Sequence, residues 1–247
     1  MLKLVSQKVN HICHFIANSE NVQLLSHMLL ARACIVCEKE NHQAVCFRCV
    51  GRLEGLKINP ETSCPVCAMP SQSGLTCGQC MLSPPPFDAT MACFYYAEPM
   101  DQIILRYKYN KKLWMVKWFS DCLLETIDQQ RLPDLIIPVP LHDLRIKQRG
   151  YNQAFEIVKR INRQLNVQIA YDILIKTVDQ TPQQQLSRSK RLTNPVNTMT
   201  CTTDIAGKTV ALVDDVMTTG ATLSEAARVL KKAGAAKVMN WVIARTR

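Results

Sequence analysis

A chain of 247 residues with 47% hydrophobic content can fill the core of one ordinary α/β domain plus a smaller module, which excludes a disordered or fibrous protein. Thirty Lys and Arg against 20 Asp and Glu give a formal net charge of +10, so anionic partners such as nucleotides, phosphosugars, nucleic acid or acidic lipid are favoured. No apolar run approaches bilayer-spanning length, and the opening MLKLVSQKVNHICHFIANSE has neither a continuous apolar core nor a small-residue cleavage site, so a soluble, cytoplasmic protein without a membrane span is expected.

Residues 1–33 read as an N-terminal helical segment. His11 and His14 flank Cys13 there, but three groups without a fourth make a poor metal site, so packing or surface roles are expected. Residues 34–82 hold eight of the twelve cysteines in four CxxC pairs: Cys34 and Cys37, Cys46 and Cys49, Cys64 and Cys67, Cys77 and Cys80. Two residues between thiolates let a tight knuckle aim both sulfurs at one tetrahedral ion, and two knuckles close a four-sulfur site. Four knuckles predict a double zinc ribbon with two structural Zn²⁺. Spacers of eight and nine residues favour sequential pairing, although spacing alone leaves crossed pairing open. Redox CxxC chemistry, by contrast, uses one copy beside a βαβ unit. Zinc on four thiolates carries a formal −2, so two sites take residues 34–88 from −1 to −5, an unfavourable field for a duplex phosphate backbone. The ribbon therefore reads as a folding staple or a protein contact. Cys13, Cys93, Cys122 and Cys201 stand alone and are expected to be buried apolar thiols.

Consecutive prolines in SPPPFD stiffen the connection to a second domain, residues 87–247. TMACFYYA predicts a strand, and MDQIILRYKYNKKLWMVKWFSDCLLETI a helical stretch broken near Asn110. DLIIPVP is a short buried strand, and YNQAFEIVKRINRQLN is an amphipathic helix with Ala154, Ile157, Val158 and Ile161 on one side. Residues 177–195 are polar and poor in apolar anchors; Arg188, Lys190 and Arg191 suit either a solvated loop or an anion-binding lid. KTVALVDD is an apolar strand, SEAARVLKKAGA a helix closed by Gly234, and KVMNWVIAR a last strand. This alternation predicts a mostly parallel sheet covered on both faces.

The segment ALVDDVMTTGAT sets an acidic pair, Asp214 and Asp215, at the carboxyl end of a buried strand, where parallel sheets collect ligands. Val216, Met217, Thr218, Thr219, Gly220, Ala221 and Thr222 then turn into a helix, converging backbone N–H groups and hydroxyls on one point. That combination suits a ribose 5-phosphate: amides take the phosphate, and carboxylates take the ribose hydroxyls and a hydrated Mg²⁺ serving a diphosphate. The GKT at residues 207–209 is no P-loop, since the required glycine five residues earlier is Thr202. Acidic pairs in phosphotransfer receivers lack the threonine-glycine turn.

VDDVMTTGAT resembles the signature of type I phosphoribosyltransferases. With CIVC, CFRC, CPVC, CGQC, PPPFD, LRYKYN, IPVPLH, RGYNQA and QLSRSKRLTN, the chain is similar to the ComF family (also labelled GntX) from about Cys34 to Arg245, a double zinc ribbon followed by a phosphoribosyltransferase-type domain. The resemblance implies that Asp214 and Asp215 bind the ribose hydroxyls and Mg²⁺, and that residues 218–222 bind the 5-phosphate of phosphoribosyl diphosphate. It implies backbone diphosphate contacts at Val139, Pro140 and Leu141, a cleft mouth of Lys108, Arg149 and Asn152, and a hood bearing Arg188 and Arg191. It also implies a role in natural transformation, the uptake of DNA by competent bacteria, with single-stranded DNA as a partner. For such a strand, Tyr107, Tyr109, Trp114 or Trp118 are platforms if exposed and core if not. Two alternatives are an active transferase acting on a base or amine, and a sugar-phosphate-sensing scaffold whose ribbon docks a helicase or recombination factor.

Overall fold

The computed structural model describes residues 32–109, 112–176 and 198–247. The chain divides into two compact units, one ending at Gly51 and one spanning Arg52–Arg247. In the first, β1 (Arg32–Ala33) pairs antiparallel with β2 (Glu40–Asn41) around a cysteine knuckle. Helix α1 (Phe47–Glu54) begins immediately after Cys46 and ends three residues past Gly51.

The second unit contains the second cysteine module, with its short helix α2 (Gly78–Leu82), and the sheet domain. In chain order the domain comprises β3 (Ala89–Tyr95), α3 (Met100–Tyr109), α4 (Val116–Thr126), β4 (Leu135–Pro138), α5 (Asp143–Arg149), α6 (Gln153–Leu165) and β5 (Gln168–Ile169). There follow β6 (Leu174–Lys176), β7 (Met199–Cys201), β8 (Thr209–Met217), α7 (Ala221–Lys232) and β9 (Lys237–Arg245). Five strands form one sheet in the order β3-β9-β8-β4-β5, and every pairing in it is parallel. β6 and β7 form a separate antiparallel arm.

The helical stretch expected after β3 appears as α3, described as far as Tyr109, and α4, entered through a 3₁₀ turn at Leu113–Met115. β8 and β9 are apolar along nearly their whole length because both faces of a parallel sheet are covered. Leu135, Ile137, Val210, Leu212, Val238 and Val242 pack with Leu223, Ala226, Ala227 and Leu230 of α7. The opposite face meets α4 and α6, where Phe119, Leu123, Ile157, Val158 and Ile161 are buried. Two carboxylates fix where the central strands start: Asp134 Oδ2 accepts from the Thr209 N–H at 2.8 Å, and Asp88 Oδ2 accepts from the Val238 N–H at 2.7 Å. With starts pinned and pairing parallel, the carboxyl ends of β4, β8 and β9 fall on one edge.

β3 is an edge strand, and residues beside the second cysteine module cover it. The N–H groups of Ile58, Tyr95 and Thr90 donate to the carbonyls of Cys93, Leu56 and Pro65 at 3.0, 2.8 and 3.0 Å, so otherwise open ladder groups are paired. Among the lone cysteines, Cys93 is buried as expected, whereas Cys122 and Cys201 are only half-buried. Cys201 lies on the β6–β7 arm, where it packs against the rim of the sheet core while its thiol donates to the Thr203 carbonyl at 3.2 Å. Cys13 lies outside the described residues. No helix among them is long and apolar enough to cross a membrane.

Candidate ligand cleft and cysteine centres

The cysteines gather as two tetrads, Cys34, Cys37, Cys46 and Cys49, and Cys64, Cys67, Cys77 and Cys80, with all sulfurs of each set within 4.8 Å of one another. Pairing is therefore sequential. Four Zn–S bonds of about 2.3 Å in tetrahedral array place sulfurs roughly 3.8 Å apart, and the Cys37–Cys46 and Cys67–Cys77 sulfurs are 3.8 and 3.6 Å apart. The two knuckles are copies of each other: the N–H of Cys46 donates to Cys34 Sγ at 3.4 Å, and that of Cys77 to Cys64 Sγ at 3.3 Å. Each knuckle turns through a left-handed residue after its second cysteine, Glu38 (φ 59°) and Ala68 (φ 57°).

Burial opposes ionisation of Cys34 and Cys64, but backbone N–H groups directed at each sulfur outweigh it and bring both thiols down to about 7. Burial, with neighbouring sulfurs, pushes Cys49 up to about 12, and burial pushes Cys67 up to about 11. Such sets lose all their protons only when a cation compensates, which fits structural zinc.

The sheet's carboxyl edge opens into a cleft of about 250 Å³. It brings together Asp214, Asp215, Val216, Thr218 and Thr222 from β8 and the turn after it, Val139, Pro140 and Leu141 after β4, and Lys108, Arg149 and Asn152. Tyr96, Arg145, Gln153, Ala154 and Lys176 also line it and were not anticipated. Lys176 had a weak signal, as a cation immediately before the basic polar segment. Gln153 had its place in RGYNQA, whereas Tyr96 and Arg145 carried no pattern at all.

β8 delivers Asp215 almost fully buried, and Lys108 of α3 reaches it at 2.9 Å. Asp214 keeps part of its surface open to the cleft, yet crowding by protein atoms desolvates its carboxyl, and the adjoining Asp215 charge adds to that; together they push it up to about 7 against the pull of Lys108. Beyond the aspartates the chain turns at Gly220 (φ 79°), which caps α7. Thr219 Oγ1 accepts from the Ala221 N–H at 3.3 Å. Met217 points away from the cleft: its side chain is buried in the core, and its methyl lies 2.8 Å from where a Cβ on Gly220 would sit. Gly220 is thus favoured by its left-handed backbone, and a side chain there would also have to displace the Met217 methyl. Met217, Thr219, Gly220 and Ala221 shape the turn without lining the cleft with their side chains.

Asn152 has two tasks. Its Oδ1 accepts from the N–H groups of Ala154 and Phe155 at 3.0 and 3.3 Å, capping α6, while its Nδ2 donates to the Val139 carbonyl at 3.0 Å and holds the loop after β4. Arg149 donates to Gln153 Oε1 at 3.2 Å and lies over the Tyr109 ring at 5.3 Å. Gln153 is buried, and its Nε2 has no partner among the described residues, an orphaned donor in the wall of the cleft. The expected aromatic platforms divide: Tyr107 is core and Trp118 stacks on Phe94, whereas Tyr109 and Trp114 are exposed. The predicted hood residues Arg188 and Arg191, with Lys190, lie outside the described residues.

Comparison with known proteins finds both parts of this chain in known families. The phosphoribosyl transferase domain profile matches residues 151–247, and the double zinc ribbon domain profile matches residues 25–81. DNA utilization protein YhgH of Shigella flexneri is 34% identical over 193 residues, 75% of this chain and 85% of that protein. Competence protein F of Haemophilus influenzae is 31% identical over 222 residues, 86% of this chain and 96% of that protein. Among solved structures, a purine phosphoribosyltransferase from Pyrococcus horikoshii is 22% identical with a TM-score of 0.36, covering 54% of this chain and 83% of that one.

The class follows: a phosphoribosyltransferase-type α/β domain with an acidic pair and a threonine-glycine turn at its ligand edge, preceded by a double zinc ribbon. With both domain profiles matched and 31–34% identity to such relatives over most of its length, the chain belongs to the ComF family.

Proposed function

We propose that the chain is a cytoplasmic competence factor for DNA uptake and use, whose cleft binds phosphoribosyl diphosphate with Mg²⁺ and whose basic surface handles single-stranded DNA. The observation that carries this reading is the convergence of Asp214 and Asp215 with the turn into α7, in a cleft also lined by Lys108, Arg145, Arg149 and Lys176. Four cations suit a ligand with two phosphorylated ends, and two carboxylates suit the hydroxylated sugar between them. Mg²⁺ would be held through the carboxylates of Asp214 and Asp215 and would neutralise charge on the diphosphate. The relatives named for competence and DNA utilization support the biological half of the reading. Exposed Tyr109 and Trp114 supply stacking surfaces for unpaired bases. Calorimetry with phosphoribosyl diphosphate and Mg²⁺ tests the ligand: the wild type gives a saturable heat, and Asp214→Ala with Asp215→Ala removes it. Equal or absent heat in both would end the ligand reading.

A second reading, turnover on a planar base, is favoured by one observation. A neighbouring cavity shares Pro140, Leu141, Asn152 and Lys176 with the cleft and is walled by Phe155 and Tyr171, whose rings meet edge-on at 5.8 Å. Diphosphate release with a panel of bases and amines decides it; release with none leaves a binding protein.

A further inference from the structure

Arg245 ends β9 with its residue only 8% exposed, and among the described residues no carboxylate pairs with it. Its planar fork is used on carbonyls instead. Nε donates to the Cys67 carbonyl at 3.0 Å, and Nη1 donates to the carbonyls of Met217 at 3.1 Å, of Thr218, and of Thr246 at 2.7 Å. Cys67 is a ligand of the second tetrad, and Met217 and Thr218 open the turn that leads into α7. A buried cation is costly unless compensated. Desolvation weakens this guanidinium's hold on its proton, and the sulfurs of Cys67, Cys80 and Cys77 oppose that effect. With zinc bound, the four thiolates carry a formal −2, so the metal site is both an anchor and a counter-charge for Arg245.

We propose that Arg245 is a positioning residue that couples the second cysteine tetrad to the anion-binding turn, so that zinc at Cys64, Cys67, Cys77 and Cys80 holds the carbonyls of Met217 and Thr218 in the shape that receives a phosphate. The proposal rests on the phosphate reading of that turn. Zinc fixes the knuckle and with it the direction of the Cys67 carbonyl; without zinc the guanidinium loses a fixed acceptor and its counter-charge together. One ammonium cannot reproduce the fork, because Nε meets the Cys67 carbonyl while Nη1 meets those of Met217, Thr218 and Thr246, two nitrogens held rigidly in one planar group. Thermodynamic reciprocity requires the converse: a ligand in the turn stabilises zinc in the tetrad.

The test uses the full chain loaded with zinc. Amide hydrogen exchange is followed at residues 218–223, with β4 as an internal reference, before and after chelation and in Arg245→Lys. In the wild type, chelation accelerates exchange in the turn about tenfold relative to β4 and weakens phosphoribosyl diphosphate binding by a similar factor. Arg245→Lys, with zinc retained and helix content unchanged, already exchanges fast in the turn. Phosphoribosyl diphosphate with Mg²⁺ slows zinc release to a chelating dye in the wild type and not in Arg245→Lys. Turn exchange in zinc-loaded Arg245→Lys equal to that of the wild type overturns the proposal, as does loss of turn protection no greater than that in β4 on chelation. If the zinc-loaded wild type binds no phosphoribosyl diphosphate, the ligand reading fails, while the exchange comparison still decides the role of Arg245.

Discussion

The ammonium of Lys108 lies 2.9 Å from the carboxylate of Asp215, with the two side chains only 19% and 9% exposed. The pair occupies positions that a sugar phosphate and its cation would claim. On the reading advanced here, ligand binding exchanges partners: Asp215 takes ribose hydroxyls and hydrated Mg²⁺, and Lys108 takes a phosphoryl oxygen. Lys108→Met therefore has two expected effects. Affinity for phosphoribosyl diphosphate falls at least tenfold, measured by calorimetry, and the free protein loses about 1–2 kcal/mol in denaturant titration because Asp215 is left without its partner. Unchanged affinity would remove Lys108 from the ligand site.

Asp214 gives the free protein a pH dependence of known sign. Its folded-state value of about 7 lies above that of an unfolded aspartate, so between roughly pH 4 and 7 the folded state holds a proton that the unfolded state has lost. Stability is therefore greatest below this window and falls across it until pH passes about 7, by on the order of 4 kcal/mol. Asp214→Asn should flatten the curve, as read from urea midpoints at pH 5, 6, 7 and 8. Ligand affinity moves the opposite way and rises with pH, because the sugar hydroxyls and the cation require the carboxylate.

Gly220 and Asn152 allow the local architecture to be tested apart from charge. Gly220→Ala forces a Cβ into a left-handed position 2.8 Å from the Met217 methyl. It should cost about 1–2 kcal/mol, since alanine is strained in the left-handed region even if the Met217 methyl swings aside, and weaken phosphate binding as the turn relaxes that strain. Asn152→Ala removes the cap of α6 and the bond to the Val139 carbonyl. A loss of about 1–2 kcal/mol in thermal or chemical unfolding is expected, and diphosphate binding should weaken more than binding of ribose 5-phosphate alone, because on the proposed reading the loop at Val139 holds the diphosphate.

Much of this was legible in the residues. The tetrads could be read because metal geometry fixes ligand spacing locally. The β8-turn-α7 unit could be read because an apolar run, an acidic pair and a small-residue turn follow one another within a dozen positions. The cleft's remaining walls were not legible. Lys108 and Asp215 are over a hundred residues apart, and their pairing depends on how α3 lies over the sheet edge. Arg245 was the least visible: a single arginine after an apolar strand, whose acceptors at residues 67, 217 and 218 only the folded chain brings together. The solvent exposure of Tyr109 and the burial of Tyr107 were also beyond pattern, since the two rings differ by the side of α3 that faces Gln153 and Phe119.

For single-stranded DNA, the expected footprint is Tyr109 and Trp114 with the cations around them. Replacing both aromatics with Ala should weaken binding of a mixed-sequence oligonucleotide at least tenfold, since stacking contributes about 1–3 kcal/mol per base. The slope of affinity against salt should change little, because that slope counts phosphate contacts. Arg149→Gln should lower the slope by about one. Fluorescence anisotropy across a salt series separates the two, and indifference to both changes would place the strand elsewhere.

The central claim is most directly tested by a crystal structure of the zinc-loaded protein with phosphoribosyl diphosphate and Mg²⁺. The account predicts the 5-phosphate on the amides of residues 218–222, ribose hydroxyls on Asp214 and Asp215, and Lys108 released from Asp215 toward the ligand. A ligand bound elsewhere at saturating concentration, or the Lys108–Asp215 pair intact beneath a vacant turn, would contradict it.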